Sequence, residues 1–180
     1  MKIPSALETE RLVIRPYTPE DFEPLYAFFS DEDATRLLDL APEQKTAEGT
    51  RALLEMVIAS YETEDPIFAM AITDKESGKY IGSCGMAPDE ENSSDTQIFY
   101  ALLPQYQGNG YATEAARKLL EYAFVELDLD RIVASIAAEN LSSIRVAERL
   151  KMIFDGKTKR VVNGVMYEGR RYRFEKSNFL

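Results

Sequence analysis

At 180 residues and a net charge of −10, the chain is long enough to bury one full core and too acidic for the basic footprint of general nucleic-acid binding. It has no histidine and one cysteine, Cys84, which excludes His-based triads, His general bases and an intrachain disulfide, and leaves no ordinary zinc ligand set. Apolar residues at 45% and charged residues at 29% match an ordinary globular protein, and no run of about 18 apolar residues offers a membrane span.

Residues 1–5 carry no apolar stretch of a secretory signal, so a single domain over 1–180 in a reducing, cytoplasmic setting is expected. Residues 12–17 (Leu-Val-Ile-Arg-Pro-Tyr) read as a first strand ending near Pro16. Thr18-Pro19-Glu20-Asp21 is a helix start, with a hydroxyl cap, proline in the first turn and then acids. Phe22, Leu25, Tyr26 and Phe29 follow at helical spacing, and Thr46 opens a second helix with Leu53, Leu54, Val57, Ile58 and Tyr61 on its apolar side.

Residues 67–73 and 79–86 read as strands joined by the turn 74–78, and an acidic stretch, 89–95, leads into a strand at 96–103. A glycine loop, Gln105-Tyr106-Gln107-Gly108-Asn109-Gly110, comes next. The helix 111–127 then sets Ala112, Ala115, Ala116, Leu119, Ala123 and Phe124 on one face. Residues 131–137 read as a strand and 142–150 as a short helix, and two last strands flank Asn163-Gly164, whose residues both accept positive φ. The order β-α-α-β-β-β-α-β-α-β-β predicts an α/β (α+β) fold. A mixed sheet of about seven strands would be flanked by about four helices on both faces.

A strand, a short glycine loop and a helix form a device for holding a phosphate. Glycine lets backbone approach an anion, and first-turn amides have no intrahelical partner. An ordinary strand–helix turn is the competing reading. A P-loop would need Gly-Lys-Ser/Thr where Gly110-Tyr111-Ala112 stands, and a Rossmann fingerprint would need a third glycine where Thr113 stands.

Several motifs in order resemble the GNAT superfamily of N-acetyltransferases, and within it the RimJ/RimL-type branch. They are the opening from Glu8 to Pro16 (Glu-Thr-Glu-Arg-Leu-Val-Ile-Arg-Pro), the segment from Gln105 to Ala115, Ala138-Glu139-Asn140-Leu141-Ser142-Ser143, and the Asn163-Gly164 hairpin. The resemblance implies acetyl-CoA as donor and no metal. Its pyrophosphate would sit on the amides of Gln107, Gly108, Asn109, Gly110, Tyr111 and Ala112, with Gln105 at the loop's start. The pantetheine arm is expected to pair with backbone of Ala101, Leu102 and Leu103, in a wedge between splayed strands that admits the amine. Asn140 matches the position that holds the cofactor arm, and it is equally a good helix N-cap; the two roles can coexist. Ser143 matches a hydroxyl near the thioester sulfur, where a leaving thiolate needs a proton or hydrogen bond. The tyrosine that many members use corresponds to Ala147 here. Arg145 is read as a phosphate neighbour or a solvated helix residue.

Two departures matter. The branch commonly has a glutamate base where Gln97 stands, and glutamine cannot titrate. Glu91, Asp95 and Glu168 are the substitutes nearest by position, and Gln97 itself can orient a water. An α-amine, with a pKa near 8, loses less from a missing base than a lysine side chain near 10.4. The second departure is Lys151, followed by Met152, where the family has a helix-ending glycine, so a different helix end is expected there. Cys84 reads as a packed small side chain. The acidic clusters 31–33 and 89–91 either attract a cationic acceptor or are solvated loop charge. The expected enzyme works by direct transfer to a primary amine, of a protein N-terminus or a small molecule, as a monomer or homodimer. A non-catalytic acyl-CoA-binding module and an ATP- or NAD-using enzyme are the rivals.

Overall fold

Leu12 and Ile14 are fully buried while their neighbours are partly exposed, the two-residue period of a strand with one face on a core. In the computed structural model, which describes residues 1–38, 40–89, 92–162 and 164–179, this strand, β2 (Leu12–Pro16), follows a two-residue β1 (Leu7–Glu8). Helices α1 (Phe22–Phe29), α2 (Glu32–Thr35) and α3 (Ala47–Ser60) come next, then strands β3 (Ala69–Asp74), β4 (Tyr80–Pro88) and β5 (Thr96–Leu102). Helix α4 (Tyr111–Val125), β6 (Arg131–Ala137), α5 (Leu141–Arg149), β7 (Ile153–Val162) and β8 (Val165–Glu175) complete the chain. The sequence-predicted order holds, with β1 and the one-turn α2 added. Two and four residues are too short to show a period.

The eight strands form one sheet in the order β1-β2-β3-β4-β5-β6-β8-β7. Every neighbouring pair is antiparallel except β5 and β6. Helices α1 and α3 cover one face through Phe22, Leu25, Phe28, Leu54 and Val57. On the other face, α4 and α5 bury Ala115, Ala116, Leu119, Ala123, Ile144 and Ala147. The small residues of α4 let its backbone approach the sheet closely. Thr46 caps α3 by accepting the Gly49 N–H at 3.0 Å. In the β7–β8 hairpin Val162 pairs with Val165 and Gly164 takes φ +76°; Asn163 lies outside the described residues.

The parallel contact is short. Only Thr96 with Ile132 and Gln97 with Val133 pair, after which β5 and β6 diverge. An ionic cluster staples the closed end of this wedge. Arg171, on β8 and 8% exposed, donates to Asp89 Oδ2 at 2.6 Å and Asp95 Oδ2 at 2.8 Å. Arg131, on β6, reaches Asp95 Oδ1 through Nε at 2.8 Å. Asp155 also faces the Arg171 Nε, at 3.6 Å. The turn between β4 and β5 is thereby tied to β6 and β8 just before the strands part.

The end of α5 corrects an expectation. Lys151 takes the left-handed conformation at φ +60°. Its N–H donates to Glu148 O, and that of Met152 to Ala147 O, both at 2.9 Å. These are the two bonds of a Schellman motif, so lysine occupies the glycine position without changing the helix end. The buried Met152 anchors the chain beyond it, and that contact offsets the backbone strain. Lys151→Gly should therefore stabilise the fold by about 1 kcal/mol, a rise of roughly 2–4 °C in Tm by calorimetry.

Candidate active site

Between β5 and α4 the chain makes a short 3-10 turn, Pro104–Tyr106, and then a loop with Gly108 at φ +79° and Gly110 at φ +81°. Both values favour glycine, the residue without a Cβ penalty there. Inward-turned amides occupy the loop's acceptors. Gln107 Nε2 donates to Leu102 O at 3.0 Å, and Asn109 Nδ2 to Gln107 O at 3.1 Å. Among the described residues nothing accepts from the N–H groups of Gly108, Asn109, Gly110, Tyr111 and Ala112. The Thr113 hydroxyl, also in the first turn of α4, is buried without a hydrogen-bond partner among the described residues.

The N-terminal strand region braces this loop. Arg11 Nη1 donates to Asn109 O at 3.0 Å, its Nε to Glu114 Oε2 at 2.7 Å, and its guanidinium carbon sits 4.5 Å from the centroid of the Tyr111 ring. Glu114 Oε1 also accepts from the Thr9 hydroxyl at 2.6 Å and the Arg11 N–H at 2.9 Å. Burial alone would raise the Glu114 pKa; the bonds from Thr9 and Arg11 outweigh it and hold the carboxyl below its ordinary value. The brace is therefore intact above the ordinary glutamate pKa and is lost as pH falls through the lower folded value. Arg11→Ala should loosen the loop and weaken acetyl-CoA binding about tenfold by calorimetry at neutral pH, with Tm little changed.

Two cavities meet at the wedge. One, of about 690 Å³, runs from Gly108, Gly110 and Thr113 to Tyr100, Ala101, Asn140 and Ser143. Arg36, Arg145 and Arg149 give it cationic walls. The other, of about 410 Å³, shares Tyr100, Ala101, Asn140 and Ser143 and continues under α1 and α3. At the junction Asn140 caps α5, its Oδ1 accepting the Ser143 N–H at 3.1 Å, and among the described residues nothing accepts from the Asn140 amino group. Tyr100 OH donates to the Ser143 carbonyl at 3.3 Å, and burial raises this phenol to a pKa of about 12. Tyr100 therefore stays protonated beside Ser143. Sequence reasoning missed it, because an aromatic in a strand reads as core.

Of the sequence candidates, Ala101, Leu102, Gln107, Gly108, Gly110, Tyr111, Ala112, Asn140 and Ser143 line the larger cavity, and Gln97 lines the smaller. Neither cavity is lined by Leu103, Gln105 or Asn109. The Gln107 N–H is taken by Pro104 O at 3.2 Å, so the open donors start at Gly108. The Leu103 N–H is likewise taken, by Ile81 O at 3.0 Å, so it cannot pair with a cofactor arm. Asp95 is held by Arg131 and Arg171, which removes it as a substitute base. Asp89 is paired in the same way and cannot attract a cation. Glu168 is exposed and lines neither cavity, and Glu90 and Glu91 lie outside the described residues. Asp31 and Asp33 line the larger cavity, and Asp31 caps α2 by accepting the Ala34 N–H at 3.0 Å. Cys84 is fully buried, and burial pushes its thiol pKa up, as befits a packed side chain.

The acetyltransferase (GNAT) domain matches residues 11–153 of this sequence. The chain belongs to the GNAT acetyltransferase family. As a member it is an acetyl-CoA-dependent N-acyltransferase, acting on an amine. The N-acetyltransferase p20 of Bacillus licheniformis is 31% identical over 150 residues, 83% of each chain. Among solved structures, the ribosomal-protein-S5-alanine acetyltransferase of Vibrio fischeri shares the fold with a TM-score of 0.79 at 19% identity, over 98% of this chain and 100% of that one. The microcin C7 self-immunity acetyltransferase MccE, solved with acetyl-CoA and AMP, gives 0.77 at 20% identity over 93% of each chain. The acetyltransferase contains no helix, among the described residues, long and apolar enough to cross a membrane.

Proposed function

We propose that this acetyltransferase moves the acetyl group directly to an α-type amine in a ternary complex, with acetyl-CoA in the larger cavity and the acceptor in the smaller. The observation that carries this reading is the meeting of the two cavities at Tyr100, Ala101, Asn140 and Ser143. The open N–H groups of Gly108 to Ala112 and the orphaned Thr113 hydroxyl fit a diphosphate, since a buried hydroxyl without a partner is costly until a ligand supplies one. The amine nitrogen attacks the thioester carbonyl carbon, the C–N bond forms and the C–S bond breaks. The amine's surplus proton goes to water, and the departing thiolate is stabilised by a hydrogen bond from the Ser143 or Tyr100 hydroxyl and takes its proton from water.

Gln97 lines the acceptor cavity and cannot titrate. With Asp95 in ion pairs and no base placed at the site among the described residues, the reaction in this reading relies on the acceptor's own ionisation, which favours an α-amine of a protein N-terminus or a free molecule over a lysine side chain. The test has two readouts. Calorimetry should give heat of association with CoA, and thiol release should depend on added amine. For an α-amine acceptor, kcat/KM should rise with unit slope up to a pH of about 8 and then level. A plateau already reached near pH 6 would reveal an enzyme base and overturn the base-free part of this reading.

A further inference from the structure

The smaller cavity has an unusual wall for an enzyme of cationic substrates. Beyond the shared junction it is faced by Leu25, Leu38, Leu53, Leu54, Val57 and Phe29, from α1, α3 and the segment between α2 and α3. No Asp, Glu, Lys or Arg lines it among the described residues. Its polar lining beyond the junction is Gln97, Ser135 and a closed hydroxyl cluster: Tyr17 OH donates to Ser83 Oγ at 2.5 Å, and Tyr80 OH, behind the wall, lies 2.6 Å from the same oxygen. Burial raises both tyrosine pKa values, so the cluster stays neutral. Other features carry less. The exposed Val161, Val165 and Met166 of the β7–β8 hairpin point to no particular partner, and the Arg171 cluster is internally paired.

Resting on the acetyltransferase reading, we infer that the acceptor is a primary amine on a single uncharged, apolar body, aliphatic or aromatic. The reacting nitrogen sits at the wedge and the apolar body fills the chamber under α1 and α3. About 410 Å³ is at the small end of the 300–1,000 Å³ range of small-molecule sites, enough for one such body. A second ammonium group on the acceptor would have to shed its water against leucine, valine and phenylalanine, with no carboxylate among the described lining residues to receive it. Polyamines and diamines are thereby rejected. A free arylalkylamine and an N-terminal residue with an apolar side chain share the accepted chemistry.

The test compares n-hexylamine with 1,5-diaminopentane, which have the same length and differ only by a terminal methyl against an ammonium. The expected kcat/KM ratio is about a hundredfold in favour of hexylamine. In Leu37→Glu, at a half-buried position on the chamber wall outside the core clusters, the ratio should fall at least tenfold through a gain for the diamine. A thermal melt confirms that this variant is folded. Turnover of 2-phenylethylamine against a peptide amide beginning with Phe separates the two sources. A ratio near one, a preference for the diamine, or CoA binding without turnover of any apolar amine overturns the inference alone. Absence of both CoA binding and amine-dependent thiol release would instead overturn the acetyltransferase reading of the site.

Discussion

Arg171→Met is expected to lower the unfolding free energy by about 3–5 kcal/mol, seen as a roughly 10 °C drop in Tm. The size follows from what the substitution leaves behind. Asp89 and Asp95 are 3% and 6% exposed, and both lose a charge-assisted bond from the same guanidinium. Methionine fills part of the space but donates nothing, so Asp89 is left without a cation among the described residues, holding the Asn92 N–H at 3.0 Å, and Asp95 keeps Arg131 and the Asn92 amide at 3.2 Å. A second variant separates lost charge from lost packing. Combining Arg171→Met with Asp89→Asn and Asp95→Asn removes the stranded charges and should recover at least half of the loss. An unfolding free energy for Arg171→Met, from urea titration, within about 0.5 kcal/mol of the parent would show that the cluster does not hold the turn.

Ser143→Ala and Tyr100→Phe should each lower kcat by about 10- to 100-fold at saturating acetyl-CoA while leaving its Kd within about twofold. Neither hydroxyl is a ligand for the loop that grips phosphates, so affinity is not the quantity at stake. The two groups converge on one region, with the Tyr100 hydroxyl 3.3 Å from the Ser143 carbonyl. If either can serve the departing thiolate, the double variant should fall further than the product of the two single effects. If instead Tyr100 only holds α5 in place, the double variant should fall by no more than the product of the two single effects. A change in Kd of tenfold or more with kcat intact, in either single variant, would reassign that residue to cofactor binding.

Long elements with a clear period were readable from the sequence. The apolar faces of α1, α3 and α4, and the strands on either side of the glycine loop, follow from spacing alone. So does the Asn140 cap, since asparagine before an amphipathic segment has a local reason to be there. What escaped is everything that depends on distant partners. Arg11 and Glu114 are brought together only by the packing of α4 beside β2, and Tyr100 gains its place at the junction only because the first turn of α5 comes within reach of its hydroxyl. Asp95 looked like a free carboxylate because its arginines lie 36 and 76 residues away. Lys151 failed for the opposite reason. The local rule against a left-handed lysine is sound, and the buried Met152 overrides it.

The two-pair contact between β5 and β6 leaves two strand edges facing each other inside the protein. Elsewhere such edges invite a neighbouring chain; here the helices above and below restrict entry to something thin. In solution the amides on those facing edges should exchange with deuterium faster than those of β3 or β4. Filling the slot with the acyl donor should slow them, making the substrate a removable piece of the sheet.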